Sequence, residues 1–211
     1  MEGRGFDETG EKGVLLADVV AGDVQAQFLP VPGRRYEILR VDVTDADPVQ
    51  AVLAALQAWS VKACFFLSAE QLRQAPDTVR RIVAAGHSVG ILCPAGDVAG
   101  SYEQASRLLF EAARVRTVLV AAPAGADAAA VRAAADAAGL VFWSYSVDGV
   151  LGGEGLSYTG TLLSRLDAAR GRADVRLLCN ARLGGLLGTV LQHLKDCEFT
   201  LHVPSEINAP D

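Results

Sequence analysis

The sequence predicts a single α/β domain: a mainly parallel sheet with helices packed outside it, closed or nearly closed into a barrel. Three observations carry this. Short apolar runs rich in Val, Leu, Ile and Phe alternate with longer stretches whose apolar residues recur at helical spacing. About seven such strand–helix units follow one another, which favours a distorted (β/α)7-type barrel over the alternative, an open doubly wound sheet. The chain has 211 residues, 51% of them hydrophobic and 21% charged, the profile of one globular domain rather than of a disordered chain.

Residues 1–35 read as an N-terminal extension. It begins with the polar, Gly-rich EGRGFDETGEKG, and then VLLADVV and VQAQFLPV flank Ala21-Gly22-Asp23 as a hairpin signal. Residues 36–211 read as the barrel domain. YEILRVDV is its first strand and PVQAVLAALQAW its first helix. VKACFFLS is an apolar strand, and QLRQAPDTVRRIVAAG reads as one helix that Gly86 stops. HSVGILC is the third strand, and SYEQASRLLFEAAR the third helix. RTVLVAA leads into the Ala-rich helix DAAAVRAAADAAG, and LVFWSYSV into the helix LSYTGTLLSRLDAAR. DVRLLCN, LGGLLGTVLQHLKD and FTLHVP complete the series. A site in such a domain lies at the carboxyl ends of the strands, here 42–47, Ser68, 93–97, 121–125, 147–149 and 179–182.

Charge and cysteines narrow the function. A net charge of −6 and no basic patch with interleaved aromatics argue against a nucleic-acid partner. No run is long and apolar enough to insert in a membrane. No secretory h-region follows Met1, so the expectation is a cytoplasmic chain, or an extracellular or envelope one whose N-terminal anchor has been removed. Cys64, Cys93, Cys179 and Cys197 are widely spaced with no C-x-x-C, which reads as buried thiols rather than a zinc knuckle or a disulfide framework.

The stretch VKACFFLSAEQLRQAPDTVRRIVAAGHSVG resembles the heart of the NodB-homology polysaccharide deacetylases, carbohydrate esterase family 4, where a strand near VKATFF is followed by a helix and then GHEIGNH. Other blocks fall in matching order. VDVTDADPVQAVLAAL lies where the family has its first Asp motif, and AAPAGADAAAVRAAADAAGL where it has RPPYG. WSYSVDG, GLSYTGTLL, RLLCNAR and LLGTVLQHLKDCEFTLHVPSEI match the later strand ends and helices. The resemblance covers about residues 36–207. RLLCNAR and the Gly-Leu-Ser helix start resemble the branch of spore-forming bacteria.

The resemblance implies a site in which one Asp and two His hold a divalent metal, a second Asp is the general base, a late His the general acid, and an Arg orients the base. The metal lowers the pKa of its water and polarises the amide carbonyl, while the acid–base pair moves protons. Carried over residue by residue, the base position falls on Asp42, which is present, and the metal Asp on Val43. The two His ligands fall on Leu92 and Gly96, the Arg on Ala121, and the catalytic His on Cys179, followed by Asn180. Asp148 keeps the Asp at the fifth strand end. A slip in the matching could bring in Asp45 or Asp47, but not histidines, of which the chain has three: His87, His193 and His202. Residual catalytic positions are therefore Asp42, Asp148 and Cys179, within a pocket of Leu92, Cys93, Gly96, Ala121, Pro123 and Asn180. No metal and no cofactor is expected.

Structural readings compete at each position. Asp42 is a relic base or a strand-end Asp bonding loop amides; the second is favoured, since base work without a metal needs a further partner. Cys93 and Cys179 could face one pocket as thiolate ligands or nucleophiles, but no His or Lys is expected beside them, which favours inert buried thiols; Cys64 and Cys197 read as packing residues. Gly125 and the Gly152, Gly153, Gly155 cluster match no phosphate-loop pattern. Trp59, Trp143 and Tyr145 could stack sugars, with a core or wall role favoured. The functional expectation is a catalytically impaired deacetylase homologue, a pseudoenzyme with a glycan- or peptidoglycan-binding, structural or interaction role in the bacterial envelope or spore. The alternative is an active deacetylase or hydrolase with altered chemistry through Asp42, Asp148 and Cys179. The sequence fixes no oligomeric state.

Overall fold

A computed structural model describes residues 13–20, 23–30, 35–43, 48–149, 157–169, 172–197 and 199–202. Two strands, β1 (Gly13–Val20) and β2 (Asp23–Pro30), pair antiparallel from Gly13↔Pro30 to Val20↔Asp23, which is the hairpin that the Ala-Gly-Asp punctuation predicts. Among the described residues, the other strands form one parallel sheet. Its strands are β3 (Arg35–Val43), β4 (Cys64–Leu67), β5 (Ser88–Leu92), β6 (Leu119–Ala121), β7 (Val141–Phe142), β8 (Val147–Asp148), β9 (Arg172–Cys179) and β10 (Phe199–His202). The order across the sheet is β7-β6-β5-β4-β3-β9-β8. β10 pairs with residues 35–38 of β3 and β4 with residues 40–42, so the long central strand serves one after the other.

That order requires the sheet to curl. β7 and β8 lie at opposite ends of a seven-strand path, yet Phe142 and Val147 are only five residues apart. Seven strands laid flat would separate their outer members by about 29 Å at about 4.8 Å per gap. Five residues reach at most about 18 Å. The run LVFWSYSV, expected as one strand, is thus two, and the turn between them is the seam of the barrel. Trp143 N donates to Val120 O at 2.7 Å on the β6 side, and three residues later Ser146 N donates to Asp174 O at 2.9 Å on the β9 side.

Helices α1 (Val49–Ala58), α2 (Ala69–Gln74), α3 (Pro76–Ala84), α4 (Val98–Ala113), α5 (Ala128–Ala137), α6 (Ser157–Ala168) and α7 (Ala181–Asp196) connect the strands. The helix expected over 71–86 is divided in two. Pro76 occupies the first turn of α3, lacks the amide a continuous helix would use, and holds Ala75 out of helical geometry at φ −131°. α2 instead starts earlier, on a capping box in which Gln71 N donates to Ser68 Oγ and Ser68 N to the Gln71 side chain. Asp97 and Asp127 cap α4 and α5 through their carboxylates. Gly86 and Gly139 end their segments at φ +77° and +67°, a conformation only glycine adopts without strain.

Strand alternation then sorts side chains into two layers. Leu39, Val41, Val43, Phe65, Leu67, Val89, Ile91, Val120, Val175, Leu177 and Cys179 pack against the helices, with Val52 and Leu56 of α1 and Leu187 and Leu191 of α7 among their partners. The opposite faces of the same strands line the barrel. There Cys64, Phe66, Leu92, Leu119, Ala121 and Trp143 form a second, smaller apolar cluster. Gly90 belongs to this inner layer because the Phe66 ring occupies the space its side chain would need: a Cβ there would lie 2.3 Å from the ring.

Candidate functional site

The inner face of β3 carries two charged side chains, Arg40 and Asp42, spaced so that strand period 2 points both into the barrel. They form a bidentate pair: Arg40 Nε donates to Asp42 Oδ1 at 2.7 Å and Nη2 to Oδ2 at 3.0 Å. Arg40 is 1% exposed and Asp42 3%. The rest of the guanidinium is satisfied by backbone, donating to Trp143 O at 3.2 Å and Ala122 O at 2.9 Å. A second pair stands beside it. Arg176 of β9, opposite Arg40 in register, donates to Asp148 of β8 through Nε at 3.0 Å and Nη2 at 3.1 Å. The Tyr145 ring lies 4.4 Å from the Arg176 guanidinium carbon and 5.6 Å from that of Arg40, and the Phe66 ring covers Arg40 at 4.9 Å.

Burial dominates the electrostatics here. It pushes the Asp42 carboxyl above the ordinary aspartate range, against the pull of Arg40 and, more weakly, Arg176. It also raises the Cys64 thiol in the same interior. The Cys93 thiol is pushed up to about 12, mostly by burial and then by the nearby Asp97 carboxylate, so the thiol form prevails there.

The residues singled out in the sequence separate into three groups. Asp42, Leu92 and Ala121 share the barrel interior; Asp148, at the level of Arg40, joins them through its pair with Arg176. Val43, Cys93 and Cys179 lie instead in the layer between sheet and helices, so the two cysteines do not meet Asp42 across a pocket. The remainder lie on the connections. Gly96 is exposed in the turn after β5, Pro123 is half-buried after β6, and Asn180 accepts from Leu183 N at 3.1 Å at the start of α7. Asp45, Asp47, Gly152, Gly153 and Gly155 fall outside the described residues. Gly125 adopts φ +78° in a turn.

Among the aromatics, Trp143 is fully buried in the barrel and Tyr145 is 37% exposed; both belong to the seam rather than to one strand face. Trp59 is half-buried beside α7, with Lys195 Nζ 5.7 Å from its ring. His87 sits at the start of β5, accepts from Ala63 N through Nδ1 at 3.2 Å and meets Phe65 edge-on. Burial, then the charge of Lys62, lowers its pKa to about 4.

Two features were missed. Arg40 and Arg176 read as ordinary strand residues, although R-x-D within an apolar strand places a cation and a carboxylate on one face and could have flagged the first pair. The second is outside the barrel, where Asp167, His193 and Cys197 offer ligand atoms within 4.8 Å of one another. His193-x-x-x-Cys197 at a helix end was its sequence mark.

A divalent metal would need N, O or S donors at the matched positions. Val43, Leu92 and Gly96 offer no side-chain donor, and the carboxylates Asp42 and Asp148 are each held by an arginine, Arg40 and Arg176 respectively. Among the described residues, the matched positions do not fit the ion.

Comparison with known proteins places this geometry. Residues 32–91 match the model of the polysaccharide deacetylase family. No curated protein sequence matches the chain. Solved structures do. A CE4 family pseudoenzyme from Bacillus anthracis is 19% identical with a TM-score of 0.71, covering 84% of this chain and 66% of that one. The polysaccharide deacetylase Bc1974 from Bacillus cereus is 17% identical at 0.71, with 82% and 93% covered. A family 4 carbohydrate esterase from Streptomyces lividans, in complex with acetate, is 18% identical at 0.69, with 84% and 98% covered. The chain therefore has the parallel-stranded barrel fold of the family 4 carbohydrate esterases, and its residues 32–91 carry the polysaccharide deacetylase pattern.

Proposed function

We propose that this chain is a catalytically impaired polysaccharide deacetylase homologue, with a glycan-binding or interaction role in the bacterial envelope or spore. One observation carries the reading. The residue at the base position, Asp42, is clamped by Arg40 in a buried bidentate pair, while the positions matching metal ligands present Val43, Leu92 and Gly96. A deacetylase of this family needs a metal-bound water and a carboxylate able to take its proton. Asp42 has its oxygens committed to a cation, and among the described residues the positions matching metal ligands offer no side-chain donor. The position matching the family's base-orienting Arg is Ala121, and Arg40 reaches the same carboxylate from two residues earlier on its own strand.

The placement of Cys179 against the helices weighs against altered chemistry through Asp42, Asp148 and Cys179, because the thiol does not share the interior with the carboxylates. Support for an envelope or spore setting is the likeness to proteins of Bacillus.

The test is acetate release from N-acetylated chitin oligomers and peptidoglycan fragments, with zinc or cobalt supplied. No release above a protein-free blank is expected, and metal-dependent release would overturn the proposal. Calorimetric titration with the same oligomers then separates the two roles: heat of binding assigns the glycan role, and its absence the interaction role.

A further inference from the structure

We propose that Asp167, His193 and Cys197 form a surface site for one zinc ion, on the face of the barrel opposite the strand carboxyl ends. Asp167 lies in the last turn of α6, His193 in the last turn of α7, and Cys197 immediately after it. Cys197 N donates to His193 O at 2.9 Å, which continues the helical turn and stacks the two side chains at i, i+4 on one face. β10 begins two residues after Cys197, so the cluster sits where strands start, away from Asp42.

The spacing is that of ligands around a common point. His193 Nε2 lies 2.7 Å from Asp167 Oδ1 and 3.7 Å from Cys197 Sγ, and Sγ is 3.9 Å from the same Oδ1. Tetrahedral zinc with ordinary bond lengths sets N···S and O···S near about 3.6 Å and N···O near about 3.4 Å. The sulfur distances already agree to a few tenths of an ångström. Only the histidine–aspartate hydrogen bond must open, which is the contact a metal replaces.

A nucleophilic triad is a poorer match. It needs the carboxylate on one ring nitrogen and the thiol on the other, whereas here both approach Nε2. Three convergent donors of types N, O and S suit zinc, which completes such a set with a water. The setting also favours a cation, because α6 and α7 both end here and turn the negative ends of their dipoles towards the site. Lys195, the nearest basic neighbour on α7, is drawn off over the Trp59 ring. Binding takes the thiol proton to solvent and leaves the imidazole proton on Nδ1, with Nε2 donating its lone pair to the ion.

The test uses the whole chain, stripped with chelator and titrated with cobalt, then zinc. One equivalent of cobalt with a thiolate-to-metal charge-transfer band, bleached by zinc and missing in Cys197→Ser, is expected. A second measurement avoids substitution. Cys197 is the partly exposed cysteine and the other three are buried, so its alkylation, followed by peptide mass analysis, should slow about tenfold or more with zinc and recover with chelator. Absence of the cobalt band, its persistence in Cys197→Ser, or alkylation indifferent to zinc would each overturn the proposal.

Discussion

Replacing Arg40 with Met tests whether the barrel interior is held by its internal ion pair. The methionine keeps much of the apolar stem but removes four hydrogen bonds, two of them to the Asp42 carboxylate. Bonds to a charged group contribute about 1.5–3 kcal/mol each, and breaking one side of a buried pair typically costs about 3–5 kcal/mol, because the other charge is stranded. The loss depends on pH, with a definite sign. Asp42 is already raised by burial, and without Arg40 its largest lowering influence is gone. A carboxyl whose folded pKa exceeds its unfolded value adds stability below the unfolded pKa and loses it as pH rises through the folded one. The variant's deficit relative to the parent chain should therefore be smaller near pH 5 and approach about 3–5 kcal/mol near pH 8, read from urea midpoints at several pH values. Adding Asp42→Leu should recover most of the deficit and flatten its pH dependence, since a buried pair exchanged for apolar residues is often neutral. Arg107→Met serves as the control, because its pair with Glu103 is exposed and contributes under about 1 kcal/mol. A deficit for Arg40→Met no larger than the control's, or one that does not grow with pH, would refute the reasoning.

Other perturbations read other parts of the fold. His87, with its pKa lowered to about 4, binds its proton more readily unfolded than folded. Its contribution is present above the ordinary histidine value and lost as pH falls towards 4, about 3 kcal/mol at most over that window; His87→Gln, which keeps an acceptor for Ala63 N, should flatten urea stability between pH 6.5 and 4. Gly90→Ala pushes a methyl into the Phe66 ring and should cost about 1–3 kcal/mol in thermal or urea unfolding; combining it with Phe66→Leu should recover part of that loss, and a harmless Gly90→Ala would mean the inner layer is loosely packed. Ser68→Ala removes the capping hydroxyl of α2 and should cost about 1 kcal/mol, measurable in the same melts.

The alternation of strands and helices was legible because apolar period and punctuation are local properties. Gly86 and Gly139 mark helix ends as read. Of the two departures, one comes from a force with longer reach and the other from a local breaker. LVFWSYSV has the composition of one strand, but the curl of the sheet brings its first half to β6 and its second to β9. Pro76 breaks a run whose apolar spacing is otherwise continuous. At the site, Asp42, Leu92 and Ala121 lie on the inner face of the barrel, whereas Cys93 and Cys179, named at the site but favoured as inert buried thiols, pack under helices. Proximity to a strand end fixes the level of a residue; parity along the strand fixes its face, and both cysteines have the parity of Val41 and Val43. The pairing of Asp167 with His193 and Cys197 needed the packing of α6 on α7, which no local pattern carries.

The composition of the barrel interior follows from what a buried carboxylate requires. In a barrel that holds a metal, the ion supplies positive charge to the acids around it. With Leu92 and Ala121 on the inner face, that half of the barrel closes as an apolar cluster around Phe66 and Trp143, and any acid left beside it must find another cation. On a strand, the same face recurs every two residues, so position 40 is where β3 itself can provide one, and Arg stands there. This creates a second requirement. Arg176 faces Arg40 across the β3–β9 ladder, and like charges opposite one another destabilise a sheet. Asp148, paired with Arg176 on the next strand over, answers that charge, and Tyr145 lays its ring across both guanidinium groups. Arg40, Asp42, Arg176, Asp148 and Tyr145 thus form one connected set in which each charge is met. Restoring donors at Leu92 or Gly96 alone would leave Asp42 clamped, so a return of metal chemistry to this barrel would require releasing Arg40 as well.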